Sequence, residues 1–370
     1  VQTCALPIFA TLIGNLLQAD GDARKYSENY PELVCPNIGG AQTQVSLTSS
    51  KKLVRFLPAK KYKLVPAKTN RLLTTSSSVI VDGEGTSSMA WISKSGVWAG
   101  GVNCLAPQEQ QFFVGATADV SSKAKLVVIN AGLSSSIVDV ITFSESGSFK
   151  KTITVGKNQI FSLNVVSLAP GAKSVAMQVI PRTGRVTSYL VDERGRGLKV
   201  LGGDIVNSQS TLNRNLLIPG IAHSSTNKSH ILRILNPGGA ATMITVEVLS
   251  KDGRYIPVGL DNRKISAGKV TDIAFDFDSK QSSFGVRITS DQPIAASVFS
   301  RIGADFIWST ATTPGATGTW AIGIESNRIE TIIGNNNATT SVTVPAYNPV
   351  AYFAVTDAVA VPRRQIVSTD

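Results

Sequence analysis

Histidine is nearly missing from this chain, at 2 residues in 370, and cysteine is scarce, at 3. Two histidines far from the cysteines lack the ligand spacing of a zinc site. No metal, cofactor or catalytic residue is therefore assigned. Charged residues are only 16% of the chain, below the usual share of about a quarter. Long Ala/Leu/Glu/Lys stretches are absent, which excludes a coiled coil. No apolar run reaches the roughly eighteen residues of a membrane-spanning helix. Several signatures of catalysis are missing too. There is no Gly-x-Ser-x-Gly elbow, no Gly-x-Gly-x-x-Gly opening a helix, and no phosphate loop ending in Gly-Lys-Ser/Thr.

What is present points to strands. Hydrophobic residues make up 42%, enough for a sizeable core, and the length suits two to three domains. Ser and Thr together are roughly a fifth of the chain and Val about a tenth, a balance that favours β-structure. Net charge is +11 and the pI is about 9.6, which implies an anionic neighbour or good solubility.

The opening residues need separate treatment. Val1-Gln2-Thr3-Cys4-Ala5-Leu6-Pro7-Ile8 back-translates to the end of a common sequencing-library adapter. Residues 1–8 are expected to be an assembly artefact, which removes Cys4 from the cysteine count. Native codons in a clone spanning the upstream gene would refute this. The short apolar stretch Phe9 to Leu17 and the polar segment after it, residues 9–34, read as the remnant of an anchor or a linker.

Further on, the chain repeats itself. Leu126-Val127-Val128-Ile129-Asn130 returns as Leu232-Arg233-Ile234-Leu235-Asn236, offset by 106 residues. Gly147-Ser148-Phe149 matches Gly253-Arg254-Tyr255 at the same offset. Met177-Gln178-Val179 answers Val286-Arg287-Ile288, and Ser188 answers Ser297. Ile244, Val246 and Val248 alternate with Thr245 and Glu247, the period of a strand buried on one face. Asp252-Gly253 is a hairpin turn. Short strands with frequent turns, in units near 100 residues, predict an all-β fold of tandem immunoglobulin-like β-sandwich domains. The expected division is a partial N-terminal β domain over 35–107, sandwiches over 108–218 and 219–314, and a partial C-terminal β unit over 315–370. Val65-Pro66-Ala67, Val155-Gly156, Ser266-Ala267-Gly268 and Val344-Pro345-Ala346 recur at strand ends and suggest related units at both ends of the chain.

A family resemblance rests on an ordered set of motifs. Cys35-Pro36 is followed by Gly100-Gly101-Val102-Asn103-Cys104-Leu105-Ala106-Pro107, then by Phe112-Phe113-Val114-Gly115-Ala116, then by the strand at 126–130 and its echo at 232–237. This order resembles an uncharacterised family of extracellular actinobacterial proteins, a domain of unknown function, over roughly residues 35–314. Phe112 stands where such proteins often carry Trp. The resemblance implies an exported protein, tethered or released, and no established activity.

Cys35 and Cys104 are read as a disulfide, consistent with an oxidising compartment, against the alternative of two buried thiols. His223 and His230 sit in a polar loop and are read as solvated. Asp276 and Asp278 share one face of a strand and could hold calcium or flank a sugar. The favoured reading is a wet strand face with Phe275 and Phe277 in the core. Arg182, Arg185, Arg194, Arg196 and Lys199, with Asp192 and Glu193 among them, read as a solvated loop.

The most distinctive charge feature is Lys51, Lys52, Arg55, Lys60, Lys61, Lys63, Lys68 and Arg71, with no acidic residue between them. This strip is a candidate anion-binding patch for acidic cell-wall polymer or a membrane surface. Equally, such lysines could keep an edge strand from pairing with other chains. Nucleic acid is disfavoured, since only Phe56 and Tyr62 could stack. The expected function is a non-enzymatic structural or adhesive protein of the cell envelope or its exterior. The alternative is an envelope glycan-acting enzyme using Asp or Glu residues in sandwich loops.

Overall fold

The run Leu126-Val127-Val128-Ile129 has no alternation, and a strand of that kind needs cover on both faces. The computed structural model provides it. The structure describes residues 33–355, apart from 40, 49–51, 59–61, 66–70, 83–86, 95–97, 224–225, 227, 251–252, 281–282, 303–304, 312–317, 324–327, 334–337 and 344–349. The expected artefact at 1–8 and most of 9–34 lie outside the described residues.

Strands β1 (Leu33–Cys35), β2 (Gln42–Thr48), β3 (Lys52–Leu57), β4 (Tyr62–Val65), β5 (Arg71–Thr75), β6 (Ser78–Asp82), β7 (Ser87–Lys94) and β8 (Trp98–Asn103) come first. They form two four-stranded sheets, in the orders β1-β6-β3-β4 and β5-β2-β7-β8. The segment expected to be a partial domain is thus an eight-stranded sandwich, and it extends into the expected linker to include Leu33 and Val34.

The middle sandwich contains β9 (Gln111–Val114), β10 (Lys125–Asn130), β11 (Ser136–Ser144), β12 (Ser148–Val155) and β13 (Gln159–Asn164). After a 3-10 turn over Val165–Ser167 come β14 (Val175–Thr183), β15 (Thr187–Arg196), β16 (Lys199–Val206) and β17 (Ser208–Gln209). Its sheets are β13-β10-β15-β16 and β12-β11-β14-β9-β17. With β1 matched to β9 and β8 to β16, this is the order of the first sandwich.

The third contains β18 (Asn213–Ala222), β19 (Ser229–Asn236), β20 (Thr242–Ser250), β21 (Gly253–Tyr255), β22 (Arg263–Ile265), β23 (Lys269–Asp276), β24 (Ser283–Ile302) and β25 (Asp305–Thr310). The single 20-residue β24 pairs with β18 and β20 through its first part and with β19 and β25 through its second. It does the work of β14 and β15 together. Because β18 begins at Asn213, this sandwich starts ahead of the expected boundary at 219.

Register confirms the 106-residue offset and corrects one pairing. Val140 faces Val179 and Val246 faces Ile288, as the sequence match requires. But Val128 faces Ser188 while Ile234 faces Ala296. The counterpart of Ser188 is therefore Ala296, one residue before Ser297. The turn after β10 is built by a side chain: Asn130 donates to Ser134 O at 2.8 Å and accepts from Gly132 N at 2.9 Å. Asn236 repeats this with Ala240 O at 2.9 Å and Gly238 N at 3.2 Å. An Asn that mimics a backbone turn explains why each apolar run ends on that residue.

Strands β26 (Gly318–Gly323), β27 (Arg328–Ile333), β28 (Ala338–Thr343) and β29 (Val350–Val355) form two-stranded pairs, β26-β29 and β27-β28. These pairings match β10-β13 and β11-β12, the first half of a sandwich. Among the described residues there is no α-helix, and none long and apolar enough to cross a membrane.

The sandwiches stack face to face. Val127, Ile129, Tyr189, Val191 and Ile205 of the middle one join the core cluster of the first. On its other face, Phe112, Val114 and Phe143 pack against Leu235, Val270 and Ala295 of the third. The middle sandwich is therefore covered on both sides, which is why β10 lacks alternation. In the third, β20 keeps its alternating pattern of buried and half-buried residues.

Candidate functional site

The basic strip is not one surface. Lys51, Lys60, Lys61 and Lys68 lie outside the described residues. Lys52 lies on β3, Lys63 on β4 and Arg71 on β5. Arg55 departs from the expectation of an exposed patch, being only 4% exposed. It donates to the Asn158 side chain and, at 2.6 Å, to Ala131 O. Both partners belong to the middle sandwich, so Arg55 is a cross-joint contact.

Arg182, Arg185, Arg196 and Lys199 are exposed, as expected of a solvated cluster. Asp192, Glu193 and Arg194 instead are drawn inward on β15, beside β16, where three sandwiches meet. Glu193 accepts from Trp98 Nε1 at 2.9 Å and from Lys94 Nζ at 3.0 Å, tying the middle sandwich to the first. Asp192 and Asp204 stand opposite each other across the strand pair, both fully buried. Asp192 accepts from Arg194 at 3.0 Å and from the Trp308 indole at 2.9 Å. Asp204 accepts from Trp308 N at 2.7 Å. The Arg194 guanidinium lies 4.7 and 4.6 Å from the Phe299 and Phe306 ring centres. Such contacts are favourable where water is excluded. Glycine permits the close approach: a Cβ on Gly203 would meet the Trp98 ring at 2.9 Å, and one on Gly202 would meet Asp305 Oδ1 at 2.7 Å. Asp305 accepts from Gly203 N at 3.0 Å, and its burial pushes its pKa up.

Arg233 is the second clamp, and the sequence did not single it out. Its five N–H donors have five acceptors. Nε and Nη2 reach Asp272 at 2.7 and 2.8 Å. Nη1 reaches Ala116 O and, at 3.2 Å, Val175 O, while Nη2 also reaches Lys173 O at 3.3 Å. The three carbonyls belong to the middle sandwich. The available signal was a lone charge inside an apolar strand.

Cys35 and Cys104 are joined, with an S–S distance of 2.01 Å and Cα atoms 4.4 Å apart. Tyr189 of the middle sandwich anchors both ends of this link. Its hydroxyl donates to Val34 O and accepts from Leu105 N at 3.0 Å. Burial pushes its phenol pKa up.

The histidines are not solvated. His223 and His230 are 5% and 1% exposed, among Phe275, Phe277 and Phe284. Their rings meet at 3.1 Å, Nδ1 of His223 to Nε2 of His230. His223 Nε2 lies 3.1 Å from Ser279 O, and His230 Nδ1 lies 2.8 Å from Ser300 Oγ. Since a carbonyl only accepts, His223 must carry its proton on Nε2. His230 then donates from Nε2, and Ser300 donates to its Nδ1. The relay requires both rings neutral. Burial, with the neighbouring His223 next, lowers the His230 pKa to about 4. Burial also lowers that of His223, against the Ser279 carbonyl.

The unfolded chain binds protons at these sites below about pH 6.5. The stability they contribute is full above that value and is lost at lower pH, for His230 as pH falls towards 4. For His230 the loss at pH 5 is about 2 kcal/mol. Urea unfolding of wild type and His230→Gln at pH 7 and pH 5 checks this. The variant should show the smaller pH dependence; equal dependence would reject the relay.

Phe275 and Phe277 are buried in the core, at 6% and 2% exposure. Asp278 is exposed and pairs with Lys228 at 2.7 Å. Asp272 belongs to the Arg233 clamp. Among the described residues no three His, Cys, Asp or Glu side chains gather as a metal site.

Residues 68–368 match a family model described as a family of unknown function (DUF5719). The match begins later than the motif-based resemblance and runs past its expected end at 314. No curated protein and no solved structure matches the chain.

Proposed function

We propose that this chain, which belongs to the DUF5719 family of unknown function, is a non-enzymatic structural or adhesive protein of the cell envelope or its exterior. The observation that carries the reading is the pair of locked joints on either side of the middle sandwich. Buried charge clamps and continuous apolar faces turn sandwiches that could be beads on a string into one stiff body. Stiffness of this kind suits a spacer or scaffold holding a binding surface away from its anchor. A disulfide favours an oxidising compartment outside the cytosol. The sequence strip from Lys51 to Arg71, net of Arg55, supplies cations for acidic wall polymer or an anionic membrane surface.

Binding of that kind is mostly electrostatic and weakens as salt screens it over a Debye length of about 8 Å. The test is sedimentation with acidic wall polymer and with anionic vesicles, at low and physiological salt. The proteins compared are wild type and a Lys60, Lys61, Lys63→Glu variant. Wild type should bind at low salt and the variant should bind at least about tenfold more weakly. Equal binding by both, or binding insensitive to salt, would overturn the adhesive reading of the strip.

A further inference from the structure

The inner row of β11 reads Val138, Val140, Thr142, Ser144. Its counterpart on β20 reads Ile244, Val246, Val248, Ser250. Thr142 faces Met177 and Val248 faces Val286, and Met177 and Val286 are themselves counterparts. Thr142 therefore places a hydroxyl where the third sandwich has a methyl of nearly the same shape. That hydroxyl is buried, with Thr142 2% exposed, and has no hydrogen-bond partner. An unpaired buried hydroxyl is destabilising relative to valine.

Thr142 lines a groove with a cavity volume of about 270 Å³. Ser146, Ser148 and Phe149 of the β11–β12 hairpin form one side, and Leu168 and Ala169 the other. The third sandwich fills its corresponding end with His230, Phe275 and Phe284. By strand register, the middle one has Ala124, Val165 and Val175 there.

Its chemistry is specific. None of the lining residues is charged. The nearby Glu145 carboxylate is occupied by the backbone N–H groups of Lys173 and Ser174, at 3.0 and 3.1 Å. Phe149 is 54% exposed at the rim and offers a flat apolar face. Hydroxyls that both donate and accept, beside an exposed ring, match a molecule that alternates hydroxyls with a C–H face. We propose that this groove binds one pyranose ring of a neutral glycan. Phe149 would stack on the ring, the hairpin serines would meet its hydroxyls, and Thr142 would present its hydroxyl by a χ1 rotation that exchanges it with its methyl.

This deepens the adhesive reading and rests on it, but the two can fail separately, because neutral sugars do not engage the basic strip. Methyl and amide NMR titrations with cellotriose, mannotriose and chitotriose test it. At least one sugar should shift Thr142 and Ala169 saturably, and the Lys60, Lys61, Lys63→Glu variant should bind it as wild type does. Phe149→Ala, a surface change, should weaken binding about tenfold or more. Thr142→Val should weaken it similarly while raising the urea midpoint. No response to any of the three sugars, or unchanged affinity in Thr142→Val, would overturn the proposal.

Discussion

Replacing Arg233 with Ala should destabilise the protein by about 3–5 kcal/mol, the usual result of breaking a buried charge pair from one side. The substitution removes the guanidinium from the carbonyls of Ala116, Val175 and Lys173, the first two of which keep the N–H groups of Val175 and Gly115, and it leaves Asp272 without its cation. Asp272 is the less costly orphan, because its side chain is 27% exposed and water can reach it. It also keeps Ser174 Oγ at 2.7 Å. The carbonyls lose the charged donor that ties them to the third sandwich across the joint. The Trp308 ring, with its centre 4.8 Å from the guanidinium carbon, loses a favourable cation contact as well. Urea unfolding should show the loss, and hydrogen exchange should place it on both sides of the joint between the middle and third sandwiches. An Arg233→Met, Asp272→Leu pair should recover much of the stability, because no charge is then left unpaired. A loss below about 1 kcal/mol for Arg233→Ala would mean the clamp is neutral in balance.

Much of the architecture was legible because the repeat preserves what the backbone needs. The Asn after each apolar run, the hairpin glycines, and the matched rows of β11 and β20 are local signals, read within a few residues. The first sandwich was harder to read. Its strands are short, Ser/Thr-rich and interleaved with lysines, so its apolar rows fall below what periodicity can resolve. Arg55 was misplaced for a related reason: its neighbours in sequence are surface cations, and only a partner 103 residues away, Asn158, reveals its burial. The histidines needed Ser279 and Ser300, 56 and 70 residues distant. Arg194 needed the faces of Phe299 and Phe306. Each of these sites is assembled across sandwiches or across sheets, where a linear reading sees only half of every pair. The groove at Thr142 is the converse case. Once register is known, the repeat itself supplies the comparison residue, Val248.

The disulfide should matter as much as the Arg233 clamp, but by a different route. Cys35 ends β1 and Cys104 follows β8, so the bond closes nearly the whole first sandwich into a ring, with a sequence separation of 69. Closing a loop of that length removes about 4 kcal/mol of chain entropy from the unfolded state. A Cys35→Ala, Cys104→Ala variant should therefore lose about that much stability in urea. Wild type in reducing agent should follow the variant's curve, whereas the variant should ignore the reductant. The loss should fall first on the first sandwich, whose β1 would then be held by β6 and by the Tyr189 hydroxyl on Val34 O. Hydrogen exchange in β18 to β25 should stay protected, because that sandwich has its own core. If the variant and the reduced wild type both unfold at the oxidised midpoint, the residual hold of β6 and Tyr189 is enough, and loop closure contributes nothing measurable to this sandwich.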